Sequence, residues 1–433
     1  SLSSDSDLIL MGGSYWSTLG AATRRRRTTT TTTTTTTRCE QNGVCSSESA
    51  NGIREVWSSK ESESSSADHL VVMVHGILGS AADWKFGAEQ FVRMLPDKVF
   101  VHCSEKNSLR LTLDGVDVMG ERLAEEVLEI VHRKPNLRKI SFVAHSVGGL
   151  VARYVIGRLY RAVKDGSPDE SCSGQTLSRD TIAGLEPVNF ITVATPHLGS
   201  SGNKQVPFLF GILPLEKAAP LIIHWIFKRT GRHLFLTDDD DGKPPLLKRM
   251  LEDGGDCYFM SALRSFRRRV AYANVGYDHI VGWRTSSIRR NNELPKWEDS
   301  INQKYPHVVY EEHCKACDPN ENNILTEGDV FDKLEEELVT GLSRVSWEKV
   351  DVSFHASRQR FAAHSVIQVS VSLRQMELIY SISRSQMLLE ASDNLSGTVA
   401  GQRSGNAYRR CRCHTTYDRS FPSIDVLDAP HRT

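Results

Sequence analysis

Apolar and polar positions divide the chain into a central region with regular periodicity and two ends without it. A continuous apolar run at residues 70–74 predicts a strand that is buried on both faces of a parallel sheet. At residues 116–132 apolar side chains recur every three or four positions, which predicts an amphipathic helix that ends before Pro135. Further segments of both kinds lie at 99–102, 139–144, 150–160, 189–194, 246–250, 260–266, 269–275, 331–342, 350–354 and 366–373. This alternation predicts an α/β domain with a mostly parallel sheet and helices on both faces.

The two ends have a different composition. Residues 28–37 are all threonine, and a polar, serine-rich stretch follows at 58–66. Such segments bury too little apolar surface to offset the entropy lost on ordering. We therefore predict a disordered tail over 1–67, a folded domain over 68–373 and a poorly ordered tail over 374–433. Residues 8–38 are rich in serine, threonine and arginine and lack acids, a composition that an organellar (plastid) transit peptide shares with a low-complexity tail.

Charge and cysteine content narrow the class of protein. The chain has 53 basic and 53 acidic residues, so no bulk charge attracts it to nucleic acid. Its 9 cysteines are scattered and odd in number, which favours reduced thiols in an intracellular, cytoplasmic protein. Two short groups, at 313–317 and 411–414, have the residues of a metal half-site, but neither has a second half at zinc-finger spacing. We therefore expect no metal. We also expect no membrane span, because no apolar run reaches about 18 residues.

A serine motif lies between a predicted strand and a predicted helix. Residues 144–148 read Ala-His-Ser-Val-Gly, and this position is typical of the sharp turn that exposes a nucleophilic serine. The places two before and two after the serine must be small; Ala144 stands where glycine is usual, and Gly148 fits the pattern. The motif predicts Ser146 as a nucleophile at the positive end of a helix, which favours an anionic intermediate.

A second motif follows the first predicted strand. Residues 75–79 read His-Gly-Ile-Leu-Gly. Acyl transfer needs two backbone N–H groups that bind the developing oxyanion. One is expected from the residue after the nucleophile and the other from the loop after an early strand. The sequence therefore predicts an oxyanion hole made by the amides of Ile77 and Val147.

Several stretches in the same order resemble a serine esterase family of plant and fungal lipase-like proteins. The similar stretches are 70–84, 142–154, 190–199, 231–238, 272–286 and 363–369. The resemblance implies an α/β-hydrolase fold and lipase or esterase activity without a cofactor. Beyond Val369 the chain departs from the family's final hydrophobic helix, which puts the folding of the last element and full activity in question.

The acid and the histidine of a catalytic triad leave two choices. In this fold the chain order is serine, acid, histidine. The sequence offers Asp238 with His279, or Asp278 with His364, because Asp278 and His279 are adjacent and their side chains diverge. Asp278 directly follows the predicted strand at 269–275, whereas Asp238 begins an acidic run that is typical of a solvated turn. We therefore predict Asp278 and His364 and keep Asp238 and His279 as the alternative.

An apolar, proline-broken segment at 206–227 predicts a lid-like insertion within residues 200–230, with a buried helix as the alternative. Its phenylalanine and leucine content favours an apolar acyl pocket.

The leading hypothesis is a serine hydrolase of lipid esters, of the acylglycerol or phospholipid type, that contacts a membrane peripherally. A thioesterase or acyltransferase uses the same acyl-enzyme step. The alternative of a different class is a catalytically inactive binding protein with the same fold.

Overall fold

The computed structural model describes residues 67–95, 98–163, 180–200, 219–239, 242–296, 305–317 and 330–368, and the backbone of three strands between residues 38 and 59. All of these residues lie in one compact unit, Ser1–Met376. A second unit, Glu377–Thr433, lies outside the described residues, as do most of 1–67 and the lid candidate from 201 to 218.

The strands and helices follow one another along most of the described chain. The strands are β1 (Arg38–Cys39), β2 (Val44–Glu48), β3 (Glu55–Ser59), β4 (His69–Val74), β5 (Val99–Cys103), β6 (Lys139–His145), β7 (Tyr160–Arg161), β8 (Thr181–Ile182), β9 (Glu186–Val193), β10 (Asp253–Gly254), β11 (Cys257–Tyr258), β12 (Arg268–Asn274), β13 (Val308–Cys314) and β14 (Trp347–Val352). The helices are α1 (Lys85–Met94), α2 (Val116–Arg133), α3 (Val147–Leu159), α4 (Ala219–Leu234), α5 (Leu246–Arg249), α6 (Phe259–Ser265), α7 (Trp283–Ser287) and α8 (Val330–Leu342). Among the described residues no helix is both long and apolar enough to cross a lipid bilayer.

The central sheet is mostly parallel, as predicted. Its strands lie in the order β1-β2-β3-β5-β4-β6-β9-β12-β14-β13. The six strands from β5 to β14 in this order are parallel to one another, so their carboxyl ends share one edge of the sheet. In open parallel sheets, ligands bind outside that edge. The topology therefore brings the loops that follow β4, β6, β12 and β14 together.

Helices cover both faces because the buried strands carry apolar side chains on both. Leu70, Val72 and Val74 of β4 belong to the same core cluster as the apolar faces of α2 and α3. Val71 and Met73, which point the other way, are also fully buried, and α1 contacts the neighbouring β5. Full burial of a Val, Leu or Met side chain contributes about 1.5–3 kcal/mol each. The continuous apolar run of β4 is thus explained by two buried faces.

The prediction of disorder for residues 1–67 is wrong for the twelve residues of β1, β2 and β3. These strands form antiparallel hairpins, and β3 pairs with β5 through Ser58 and His102. The physical reason is the edge of the parallel sheet, where β5 would otherwise present unpaired backbone groups. Composition alone indicated polar coil here, because β2 and β3 contain few apolar residues.

Two further differences lie near the end of the domain. Residues 363–368 are helical, so the predicted strand at 366–373 is wrong over its described part. Ala363, His364, Ile367 and Gln368 are buried, and this spacing is that of a helix face. The antiparallel edge strand β13 was not predicted, because five of its seven residues are polar or only partly buried.

A buried ion pair joins the segment after α7 to β14. Nη1 of Arg289, just after α7, lies 3.0 and 2.8 Å from the two carboxylate oxygens of Asp351 on β14. Trp283 Nε1 donates to the same carboxylate at 2.7 Å. The side chains of Arg289 and Asp351 are 1% and 0% exposed. Arg289 Nη2 also lies 3.0 Å from Glu312 Oε2, but that carboxylate is 42% exposed, so Asp351 is the fully buried partner of the guanidinium.

We predict that Asp351→Ala lowers the free energy of unfolding by about 3–5 kcal/mol, because the buried Arg289 would lose its buried partner and keep only the partly exposed Glu312. Urea unfolding followed by circular dichroism measures this loss. Glu252→Ala is the matched control; its carboxylate pairs with Arg344 at 3.1 Å but is 73% exposed. The control should change stability by less than about 1 kcal/mol. An equally small effect of both variants would contradict the prediction.

Candidate active site

Ser146 occupies a sharp turn between β6 and α3. Its φ and ψ angles are 55° and −133°, a conformation that costs a non-glycine residue about 1–3 kcal/mol. The backbone N–H of Ser146 donates to the carbonyl of Val193 at 2.9 Å, which holds the turn against β9. The amide of Val147 is at the start of α3, where the first N–H groups of a helix have no acceptor within it. The turn therefore places the serine at a helix N-terminus.

Glycines allow the turn to approach β4. A Cβ at Gly148 would lie 2.4 Å from the carbonyl oxygen of His75, and one at Gly76 would lie 2.8 Å from Cβ of Ser146. Either contact is shorter than real Cβ atoms adopt. Gly76 thus brings the loop after β4 directly beside the serine side chain.

A continuous chain of hydrogen bonds joins three of the predicted residues. Ser146 Oγ lies 3.1 Å from His364 Nε2, and His364 Nδ1 lies 3.0 Å from Asp278 Oδ2. In the neutral tautomer with the proton on Nδ1, His364 donates to the carboxylate and accepts from the hydroxyl. All three residues are at least nine-tenths buried. They come from the loops after β6, β12 and β14, over a separation of 218 residues.

Asp278 has a complete set of hydrogen-bond donors. Oδ2 accepts from Asn274 Nδ2 at 2.8 Å and from His364, and Oδ1 accepts from the N–H groups of Ile280 and Val281 at 3.0 and 2.8 Å. Burial alone would raise the pKa of Asp278, but the hydrogen bond and charge of His364, with the donors of Val281 and Asn274, outweigh it and lower that pKa. The carboxylate is therefore held as an anion that fixes the orientation of His364.

His145 supports the backbone at the start of the helix that carries His364, a role that was not predicted. Its Nε2–H donates to the carbonyl oxygen of His364 at 2.7 Å, and the two rings lie 4.6 Å apart. Burial, with the nearby charge of His364, lowers the pKa of His145 to about 3, so its ring stays neutral. Its position next to the serine was the only signal in the sequence.

Thr112, on the loop after β5, forms a hydrogen bond with the loop after β4. The amide of Leu78 donates to Thr112 Oγ1 at 2.8 Å, and that of Gly79 donates to the Gly76 carbonyl at 3.2 Å. Within the described part of the chain the Ile77 amide has no protein acceptor, and Ile77 follows the glycine that contacts Ser146. The geometry leaves this amide available to a ligand beside Ser146.

The alternative acid and histidine are not brought together. The carboxylate of Asp238 accepts from the Leu246 amide at 2.8 Å and lies 3.6 Å from His233 Nε2. That side chain is only 7% exposed, so the interpretation of Asp238 as part of a solvated turn is wrong. His279 is exposed to solvent on the loop after β12.

Only the end of the lid candidate is described. Helix α4 is kinked at Lys228, where φ is 48°, and its last turns pack on the loop before α2. Thr230 Oγ1 donates to the Thr112 carbonyl at 2.8 Å, and His233 Nδ1 accepts from the Val116 amide at 3.0 Å. Thr112 thus contacts both α4 and the loop after β4. The lid itself stays a prediction.

One group among the described residues has the spacing of metal ligands: His102, Glu105 and Glu126, whose ligand atoms lie within 4.8 Å of one another. The Glu126 carboxylate accepts from His102 Nε2 at 2.7 Å, from the Glu105 amide at 2.8 Å and from Ser104 Oγ at 3.1 Å. These bonds use both carboxylate oxygens. We therefore interpret the group as a structural network between β5 and α2.

The sheet order and the strand–turn–helix at Ser146 define an α/β-hydrolase. Residues 64–288, just over half of the chain, match the family described as "Putative serine esterase (DUF676)". The chain belongs to this family. The match includes β4, the turn at Ser146 and Asp278, and His364 lies beyond it.

Two fungal relatives show the extent of the similarity. The chain is 28% identical over 228 residues to "Putative lipase ROG1" of Saccharomyces cerevisiae. This alignment covers 51% of this chain and 28% of the relative. The chain is also 30% identical over 231 residues to "Putative lipase C4A8.10" of Schizosaccharomyces pombe. This alignment covers 51% of this chain and 26% of the relative. The chain thus spans about a quarter to a third of the length of the curated relatives it matches.

Solved structures give weaker matches. The Bacillus licheniformis lipase BlEst2 in mature form is 17% identical, with a TM-score of 0.29 over 50% of this chain and 70% of that chain. An esterase B from Lactobacillus rhamnosis is 11% identical, with a TM-score of 0.38 over 79% of this chain and 85% of that chain. Because these scores are low, the fold assignment rests on the strand order and the family match.

Buried neutral histidines predict a loss of stability in mild acid. Burial lowers the pKa of His145 to about 3 and that of His69 to about 4, from 6.5. Below pH 6.5 the unfolded chain takes up these protons and the folded chain does not, so stability is complete above that pH and falls below it. Between pH 7 and pH 5 we expect a loss of about 2 kcal/mol for each of the two histidines.

Urea unfolding at both pH values measures this loss. His69→Gln keeps a group that can hydrogen-bond to Ser141 and should remove about 2 kcal/mol of the difference. His132→Gln, at an exposed position of α2, is the control and should leave the difference unchanged. Equal stability of the parent chain at pH 7 and pH 5 would show that the prediction is wrong.

Proposed function

We propose that the chain is a serine hydrolase that cleaves carboxylic esters of lipids through an acyl-enzyme intermediate. Ser146 is the nucleophile, His364 the general base and Asp278 the carboxylate that orients the histidine. The observation that carries this proposal is the continuous hydrogen-bond chain of 3.1 and 3.0 Å from serine to histidine to carboxylate. Membership of a serine esterase family supports the same class of reaction.

The reaction starts when His364 Nε2 accepts the hydroxyl proton of Ser146 and Oγ attacks the carbonyl carbon of the ester. Asp278 stabilises the imidazolium that forms, because it is a buried anion with Nδ1–H of His364 as one of its donors. His364 then gives the proton to the departing alcohol as the C–O bond breaks. Water attacks the acyl-enzyme by the same sequence of proton transfers and releases the carboxylic acid.

The oxyanion is stabilised by the amides of Ile77 and Val147. The contact of Gly76 with Ser146 supports this assignment, because it brings the loop after β4 beside the attacking oxygen. The start of α3 adds the positive end of a helix. Removal of one such donor typically costs two to three orders of magnitude in kcat, so the position of this loop is a sensitive part of the site.

Two observations favour a lipid ester as the substrate. The fungal relatives carry the name "Putative lipase". Exposed leucine, isoleucine and aromatic side chains lie on the loops after β4, β5, β12 and β14, at the same edge of the sheet as Ser146. An apolar surround favours a long acyl chain over a polar substrate.

We predict that Ser146→Ala lowers kcat for a nitrophenyl ester by about three orders of magnitude or more, because the members of a triad act as a unit. It should also abolish labelling by a fluorophosphonate probe. Ser265→Ala is the matched control, since that hydroxyl donates within α6 to the Ala262 carbonyl at 2.7 Å. A Ser146→Ala protein that keeps activity within about tenfold of the parent would contradict the nucleophile assignment. A parent chain that folds but does not label would favour the inactive binding protein.

A second set of variants tests the acid and the histidine. We expect Asp278→Asn and His364→Ala each to lower kcat by about three to four orders of magnitude, as loss of the orienting carboxylate or the base does. Asp238→Asn and His279→Ala should stay within about tenfold of the parent, since neither residue contacts Ser146 or His364. Circular dichroism and thermal melting identify variants that fail to fold. The reverse pattern in folded proteins would show that the alternative pair is correct.

A further inference from the structure

The exposed apolar side chains are unevenly distributed over the described residues. Ten large hydrophobic side chains are exposed there, and six of them lie on loops that follow the carboxyl ends of the parallel strands. These six, called the apolar rim below, are Leu78, Leu109, Leu111, Tyr277, Ile280 and Phe361. Ile77 lies on the loop of Leu78, Asp278 on the loop of Tyr277 and Ile280, and His364 in the helix that begins two residues after Phe361. The apolar rim therefore borders the candidate active site.

One half of the rim is built by two loops that are hydrogen-bonded to each other. The amide of Leu78 donates to Thr112 Oγ1, and the amide of Leu109 donates to the Gly79 carbonyl, each at 2.8 Å. Leu78 and Leu109 are 51% and 54% exposed, and both have a φ of 54°. A leucine in this left-handed conformation is unusual and carries a conformational cost. The backbone thus holds both leucines in place although neither is buried in the core.

The other half of the rim is aromatic. Phe361 is 69% exposed, and its ring lies 5.8 Å from that of Tyr277 in an edge-to-face arrangement. The Arg360 guanidinium lies 5.0 Å from the centre of the Phe361 ring and 5.5 Å from that of Tyr277. Tyr277 precedes Asp278, and Phe361 is three residues before His364. This pair is thereby fixed beside the catalytic groups.

The charged side chains on the rim loops are mainly basic at the surface. Arg110, Arg358 and Arg360 are exposed on the loops after β5 and β14. The rim loops carry four acids: Asp278 is buried, Glu105 and Asp114 are partly buried, and Asp83 is exposed. Asp114 pairs with Arg122 at 2.6 Å, and the Asp83 carboxylate accepts from the Ser80 amide, so three exposed arginines face one exposed acid. Arginines beside exposed apolar groups complement a surface that has an apolar interior and anionic phosphates.

We propose that the apolar rim docks on an anionic phospholipid surface. The leucines, Ile280 and the aromatic pair enter the boundary between headgroups and acyl chains, and the arginines contact phosphates. Tyrosine and arginine suit this boundary because each has an apolar body and a polar end. The proposal deepens the proposed function, since docking would present lipid esters to Ser146, but the binding itself requires no turnover.

The test measures binding of the full chain carrying Ser146→Ala to lipid vesicles by sedimentation. Phosphatidylcholine vesicles with and without phosphatidylserine are compared, and we expect tighter binding when phosphatidylserine is present. The double variant Arg358→Gln/Arg360→Gln should weaken binding to the anionic vesicles about thirtyfold. Leu109→Ser/Leu111→Ser should weaken it about tenfold, because two half-exposed leucines no longer enter the lipid.

Matched controls lie away from the rim. Leu128 is 47% exposed on the outer face of α2, and Arg133 is exposed at the end of that helix. Leu128→Ser and Arg133→Gln should leave vesicle binding unchanged. Equal binding to both kinds of vesicle, no binding to either, or equal effects of rim and control variants would overturn the proposal. If the parent chain hydrolyses esters but the Ser146→Ala chain does not bind vesicles, docking alone is refuted. If the Ser146→Ala chain binds vesicles but the parent chain hydrolyses no ester, the proposed reaction alone is refuted.

Discussion

Close contact between α3 and β4 is the constraint on which the site depends. Gly148 brings the first turn of α3 within contact of the His75 carbonyl, where any side chain would collide with the backbone. That contact places the serine turn next to the loop after β4, where Gly76, the residue before Ile77, lies against the serine side chain. The positive φ of Ser146 is a cost of the same arrangement. Packing of the surrounding sheet on both faces provides the stability that sustains it.

The electrostatics of the site follow from its burial. A carboxylate out of contact with water is expensive unless donors surround it. Asp278 has four, from Asn274, Ile280, Val281 and His364, and these outweigh the burial penalty. Three of the donors come from within the loop after β12 or the strand that precedes it. Most of the hydrogen bonds to Asp278 therefore form within one short segment, whereas the bond from His364 joins residues 86 positions apart.

Local signals account for what the sequence could predict. Ser146 and Ile77 follow buried strands and have glycines at fixed places, so a short window contains the relevant information. The parallel sheet follows from alternating buried runs for the same reason. The support that His145 gives to the His364 carbonyl joins residues 219 positions apart and has no local signature. The helix at 363–368 was interpreted as a strand because a short apolar run fits both periods. Strand β13 was missed because an edge strand carries polar side chains.

The distribution of the site along the chain has a consequence for how the protein folds. Ser146 lies at the centre of the sheet, whereas His364 follows β14, next to the sheet's edge strand β13. Contacts between such distant residues close large loops and form late. During synthesis the serine turn can fold against β4 and β9 well before the histidine has emerged from the ribosome. A partly made chain therefore holds its serine beside an unfinished site, and under the proposed mechanism it would become reactive only once the segment after β14 has folded.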